Sequence, residues 1–88
     1  MKNQEQIRKI ILDLLNVPHH KLVYAIRTNL IEGMFLTLTH YGVELTTEVF
    51  SLFYNIINEK LSGSPDIEYE FDTEEEYNNI MNLKKLIG

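Results

Sequence analysis

Apolar residues at Ile7, Ile10, Ile11, Leu14 and Leu15 recur at intervals of three and four, with Glu5, Arg8, Lys9 and Asp13 on the other side. That spacing gathers the aliphatic side chains on one face and predicts an amphipathic helix over residues 4–17. Pro18 disfavours helical dihedrals at Val17 but suits the first position of a new helix, so a break is expected there. From 19 to 41 a second stripe runs through Val23, Ile26, Leu30, Met34 and Leu38, and Leu22, Ala25, Phe35 and Leu36 widen it. We read this stretch as one long central helix. Gly33, which costs about 1 kcal/mol against Ala in a helix, marks where a kink or split would fall.

Gly42 is placed to end that helix as a left-handed cap. Thr46 or Thr47 can accept amide hydrogen bonds at the next start, and Glu48 suits the positive end of the helix dipole. Val49, Leu52, Phe53, Ile56 and Ile57, broadened by Phe50, Tyr54 and Leu61, predict a helix over 47–61. Ser62-Gly63-Ser64-Pro65 stops it.

The period then changes. In Asp66-Ile67-Glu68-Tyr69-Glu70-Phe71-Asp72 acids and apolar residues alternate strictly, the mark of an extended segment with one face buried. Thr73 and Glu76 have the spacing of a capping box that opens a last helix over 74–86. The expected fold is all-α: a single domain over 1–88, a bundle of about four helices with a short extended acidic segment, 66–72, before the last.

Charge changes the picture further. Six acids and six bases cancel over residues 1–65, whereas seven acids against Lys84 and Lys85 place the whole net charge of -5 in residues 66–88. No basic stripe invites nucleic acid, so direct nucleic-acid binding is not expected. The chain has no Cys, which excludes disulfides and thiolate metal sites. Arg27, Asn29 and Glu32 interrupt the best apolar run well short of the roughly 18 residues a membrane span needs. The opening residues lack a secretory signal pattern, and a cytoplasmic location is expected.

Catalytic and metal chemistry find little support. His19, His20 and His40 are the only histidines; adjacent ones diverge by about 100 degrees on a helix, and none lies four residues from another. No nucleophile elbow, phosphate loop or dinucleotide fingerprint is present. Calcium binding of the EF-hand type fails because Phe71 stands at the sixth position, where Gly is needed, and Tyr77 at the twelfth. We expect no enzyme, no metal and no cofactor.

Contact with another polypeptide is the remaining chemistry. In an extended chain Asp66, Glu68, Glu70 and Asp72 form a carboxylate row about 6.6 Å apart, with Ile67, Tyr69 and Phe71 on the opposite face. Such a strip can dock a basic partner, the acids steering association and the aromatics anchoring it. Equally, the aromatics can close the core while the acids keep that edge wet. Arg27 is a further candidate, either paired with Glu44, Glu48 or an acid of the last segment, or simply reaching to water. His40, near a helix end, is another candidate contact. The broad stripes suggest more apolar surface than one small monomer hides, so Leu22, Phe35, Leu36, Phe50 and Tyr54 are candidates for self-association into a homo-oligomer.

Taken whole, the chain resembles small early proteins of tailed phages. In Ile7-Arg8-Lys9-Ile10-Ile11-Leu12-Asp13-Leu14-Leu15, Tyr24-Ala25-Ile26-Arg27 and Thr39-His40-Tyr41-Gly42 it resembles the cytoplasmic lysis-inhibition accessory proteins, the RIII-type antiholins, of T-even phages. That resemblance implies a non-enzymatic regulator that binds the soluble, cytoplasmic segment of a holin and delays host cell lysis. Two other classes compete with it: an acidic nucleic-acid mimic that inhibits a host defence nuclease, and a small helix-turn-helix regulator.

Overall fold

The computed structural model describes residues 3–88, which form an all-α domain with five α-helices and no strand among the described residues. The first, α1, spans Gln4–Leu14 and opens with a reciprocal cap. Asn3 Oδ1 accepts from the Gln6 amide at 2.8 Å while Gln6 Oε1 accepts from the Asn3 amide at 3.0 Å. It ends three residues earlier than the apolar spacing predicts. The carbonyl of Leu14 would look for an amide hydrogen at residue 18, and proline has none.

Residues 19–41 are not one helix. They divide into α2, His19–Arg27, and α3, Leu30–Thr37, followed by a 3-10 turn over Leu38–Tyr41. The division falls at Asn29, which adopts the left-handed conformation at φ 61, and not at Gly33. Asparagine is one of the few residues that tolerates this region, and its amide nitrogen here donates to Glu32 Oε2 at 3.1 Å. Gly33 sits inside α3 with open space where a Cβ would be. Gly33→Ala is therefore expected to stabilise the domain by about 0.5–1 kcal/mol, read as a higher urea midpoint at unchanged slope.

Gly42, at φ 81, closes the turn as expected, with Val43 N–H donating to the Leu38 carbonyl and Gly42 N–H to that of Thr39. Next comes α4, Thr47–Ser62, capped by the Thr46 hydroxyl, which accepts from the Val49 amide at 3.2 Å. Gly63 ends it in the left-handed region. An irregular connection leads to α5, Glu74–Met81, and a 3-10 turn over Asn82–Leu86. The helix predicted over 74–86 is thus an α-helix only in its first half.

Packing places α1 against α4, and α5 against both α2 and α3. Phe35 and Phe53 stand at the centre with Ile11, Leu15, Leu22, Ile26, Ile56 and Ile57, all buried. The accessible surface is 5679 Å², close to the roughly 5,400 Å² that size scaling gives for a folded monomer of this mass. Most of the stripe residues are therefore covered within the chain, with Leu30 and Leu36 left exposed. Leu22, Phe35 and Phe50 are buried in the core and are not available for self-association; Tyr54 is half-buried, and of the five residues assigned to that role only Leu36 is exposed.

Candidate functional site

The acidic connection has no partner strand, yet it is held extended by one side chain. Asn58, on α4, donates its amide to the carbonyl of Ile67 at 2.9 Å and accepts from the backbone amide of Tyr69 at 2.6 Å. A primary amide carries a donor and an acceptor side by side, so this one residue supplies the pair of bonds that a neighbouring strand would offer. Upstream, Ser62 and Ser64 stitch the turn: Ser62 Oγ donates to the Ser64 carbonyl at 2.7 Å and Ser64 Oγ accepts from the Asp66 amide at 3.3 Å.

With that register fixed, Tyr69 and Phe71 turn inward and pack against the core, whereas Asp66, Glu68, Glu70 and Asp72 are exposed. The alternation holds from Glu68 to Asp72 and fails at Ile67, which is 59% exposed. Residue 67 still belongs to the turn, its amide bonded back to the Ser64 carbonyl, so the pleat has not begun there.

Arg27 ties the far end of the connection down. From the last turn of α2 its Nε donates to Glu76 Oε1 at 3.2 Å, and its Nη2 lies 3.8 Å from Asp72 Oδ2. Glu76, only 1% exposed, is the one charged residue within the core among the described residues. The expected capping box is therefore half formed: Thr73 Oγ1 accepts from the Glu76 amide at 3.2 Å, while the Glu76 carboxylate goes to Arg27 instead of back to the cap. Next to this pair Asn79 Nδ2 donates to the Ile26 carbonyl at 2.8 Å. That carbonyl also accepts from the Asn29 amide at 3.3 Å, so α5 adds a second bond at the C-terminal end of α2 from across the domain.

Two open grooves flank the connection. The first, about 530 Å³, lies between it and α5, with Tyr54, Tyr69, Phe71 and Tyr77 as walls and Glu68 and Glu74 on the rim. The rings of Tyr69 and Phe71 meet edge to face at 5.2 Å, and those of Phe71 and Tyr77 at 6.1 Å. The second, about 520 Å³, runs along α2 past His19, Lys21, Tyr24 and Arg27 and shares Tyr69 and Asp72 with the first.

Two phenols report the field around this surface. Burial raises the Tyr54 pKa above the ordinary 10.0, with the charge of Glu68 and the proximity of Tyr77 adding to it. Burial likewise raises that of Tyr69, with Asp72 and Glu76 adding and Arg27 opposing. A phenol whose pKa is raised by folding contributes stability that is complete below the unfolded value and is lost as the pH climbs through the folded one. The urea midpoint is thus expected to fall above about pH 10. Replacing Tyr54 and Tyr69 by Phe should remove both that part of the fall and the late portion of the rise in tyrosinate absorbance.

The connection and Arg27 are thus brought together, while His40, exposed at the end of the 3-10 turn, shares no hydrogen bond or ion pair with them among the described residues. Asn58, Glu76, Tyr77 and Asn79 were not legible as site residues. Only the spacing of Thr73 and Glu76 hinted at one of them, and it pointed to the wrong partner. Among the described residues no group of His, Asp and Glu could hold a metal ion, and no helix is long and apolar enough to cross a membrane. Comparison with family models, curated proteins and solved structures finds no match to this chain.

Proposed function

We propose that the protein is a non-enzymatic regulator that acts by binding another polypeptide, with the connection at 66–72 and the adjoining face of α5 as the contact surface. One observation carries this reading: the connection is extended from Glu68 to Phe71 and held at both ends, by Asn58 and by Arg27, with its carboxylates turned to water. A strip already ordered before contact saves the partner the ordering entropy that a mobile acidic segment would cost. Asp66, Glu68, Glu70, Glu74 and Glu75 take part in no ion pair with a described residue, so their field extends into solvent and favours a basic partner.

Neutralising Asp66, Glu68 and Glu70 together, as Asp66→Asn, Glu68→Gln and Glu70→Gln, tests the role. A partner captured by the wild type and then purified should bind this variant at least tenfold more weakly, with a flatter dependence on salt. Equal affinity at low salt would remove the proposed surface. The narrowest version is the antiholin, a cytoplasmic protein whose partner is the soluble segment of a holin. Co-purification of that segment, together with delayed lysis on expression, supports it; failure of both removes it.

A further inference from the structure

The aromatic walls of the groove beside α5 select the chemistry of what enters it. Tyr69 and Phe71 stand almost perpendicular, at 83° and 5.2 Å between centres, and Phe71 and Tyr77 at 64° and 6.1 Å, so the three rings touch edge to face and form one continuous aromatic wall. Tyr77 is 45% exposed, and its ring is therefore open to a ligand. The rim is made of carboxylates, Glu68, Glu70 and Glu74 among them. An apolar side chain entering here would strip water from those carboxylates without replacing it, and an anion would be repelled.

A cation meets neither obstacle. It is attracted to ring faces within about 6 Å and is charge-paired by the rim. The protein's own cations near this region are engaged elsewhere: Arg27 with Asp72 and Glu76, and Lys84 with its Nζ 5.2 Å from the centre of the Phe50 ring.

We propose that this groove seats a single cationic side chain, arginine or lysine, of a partner peptide, against the aromatic wall of Tyr69, Phe71 and Tyr77 and beneath the carboxylate rim. The inference rests on the protein-binding role proposed above and deepens it by naming the residue type that the partner presents. The rings supply selectivity for a cation over a neutral isostere, while the rim supplies attraction at a distance.

The test titrates the full chain with three probes: a blocked glycine-flanked arginine peptide, its citrulline analogue and tetramethylammonium. Tyrosine ring resonances provide the readout. The arginine peptide and tetramethylammonium should shift the same Tyr69 and Tyr77 signals, and citrulline should shift neither. Tyr77→Ala should weaken arginine binding about tenfold with an unchanged circular dichroism spectrum. Should that variant unfold, Tyr77→Leu serves in its place, keeping the bulk but not the quadrupole.

Arginine binding that is absent, matched by citrulline, or indifferent to loss of the Tyr77 ring overturns the inference. The two proposals separate on a purified partner. If neutralising Asp66, Glu68 and Glu70 weakens that partner but Tyr77→Ala does not, the cation seat falls and the docking strip stands. If neither change weakens it, both fall.

Discussion

Phe35→Ala is expected to cost about 3–5 kcal/mol and to leave the domain largely unfolded near 37 °C. Phe35 is fully buried on α3, with its ring edge to face against Phe53 at 5.2 Å and against Phe50 at 6.4 Å. Those two rings come from α4, so the cluster bonds the helix after the Asn29 break to the longest helix in the chain. Truncation removes the transfer free energy of the ring and leaves a cavity that two large aromatics on a helix cannot collapse into. A domain of 88 residues has about 4–13 kcal/mol in total, so one such change removes a large part of it. Urea unfolding followed by circular dichroism checks this, with Phe35→Leu expected to fall between the two. A cost below about 1 kcal/mol for Phe35→Ala would mean that this ring does not hold the core as described.

Arg27→Met is expected to destabilise by about 2 kcal/mol, although Arg27 is itself more than half exposed. The reason lies with its partner. Glu76 is buried, and its carboxylate accepts from Arg27 Nε; without the guanidinium a charge stays in the core with no cation beside it. Breaking a fully buried pair costs about 3–5 kcal/mol. Solvent around the guanidinium screens part of the interaction, so the lower figure applies. Methionine keeps most of the aliphatic stem, which confines the change to the charge. The sign of a second substitution then isolates the cause. Glu76→Gln should be harmful alone and should recover stability in the Arg27→Met background, because it removes the stranded charge. If the two losses simply add, the pair is not coupled and the buried carboxylate is satisfied by other means. The same variant bears on function, since the ion pairs of Arg27 with Asp72 and Glu76 hold the end of the acidic connection against α2.

Local chemistry was legible because it acts over a few residues. The caps at Gly42 and Thr46, the stop at Ser62-Gly63 and the inward turn of Tyr69 and Phe71 all follow from spacing along the chain. Errors arose where a distant residue supplied the deciding partner. Gly33 has the weaker helix propensity, yet the chain breaks at Asn29, where Asn79 of α5 adds a bond to an Ile26 carbonyl that already accepts from the Asn29 amide. Glu76 has the spacing of a cap, yet an arginine 49 positions away offers a charge-assisted bond that a backbone amide cannot match. The burial of Leu22, Phe35 and Phe50 was missed for a related reason: a stripe on a helical wheel records which residues are apolar and not how many neighbours will cover them.

By itself, then, the order of residues determined an all-helical chain, the neutral character of its first 65 residues, and an acidic, aromatic-studded segment that must lie extended. It also determined where most helices begin and end, since capping and proline effects reach only three or four residues. Tertiary structure alone decided that the central stretch is two helices, that Asn58 stands in for a missing strand, and that Arg27, Asp72 and Glu76 meet. It alone made a walled groove of four aromatic rings. Those outcomes join residues about ten to fifty positions apart, and which donor finds which acceptor over such separations is settled when the helices pack, not when they form.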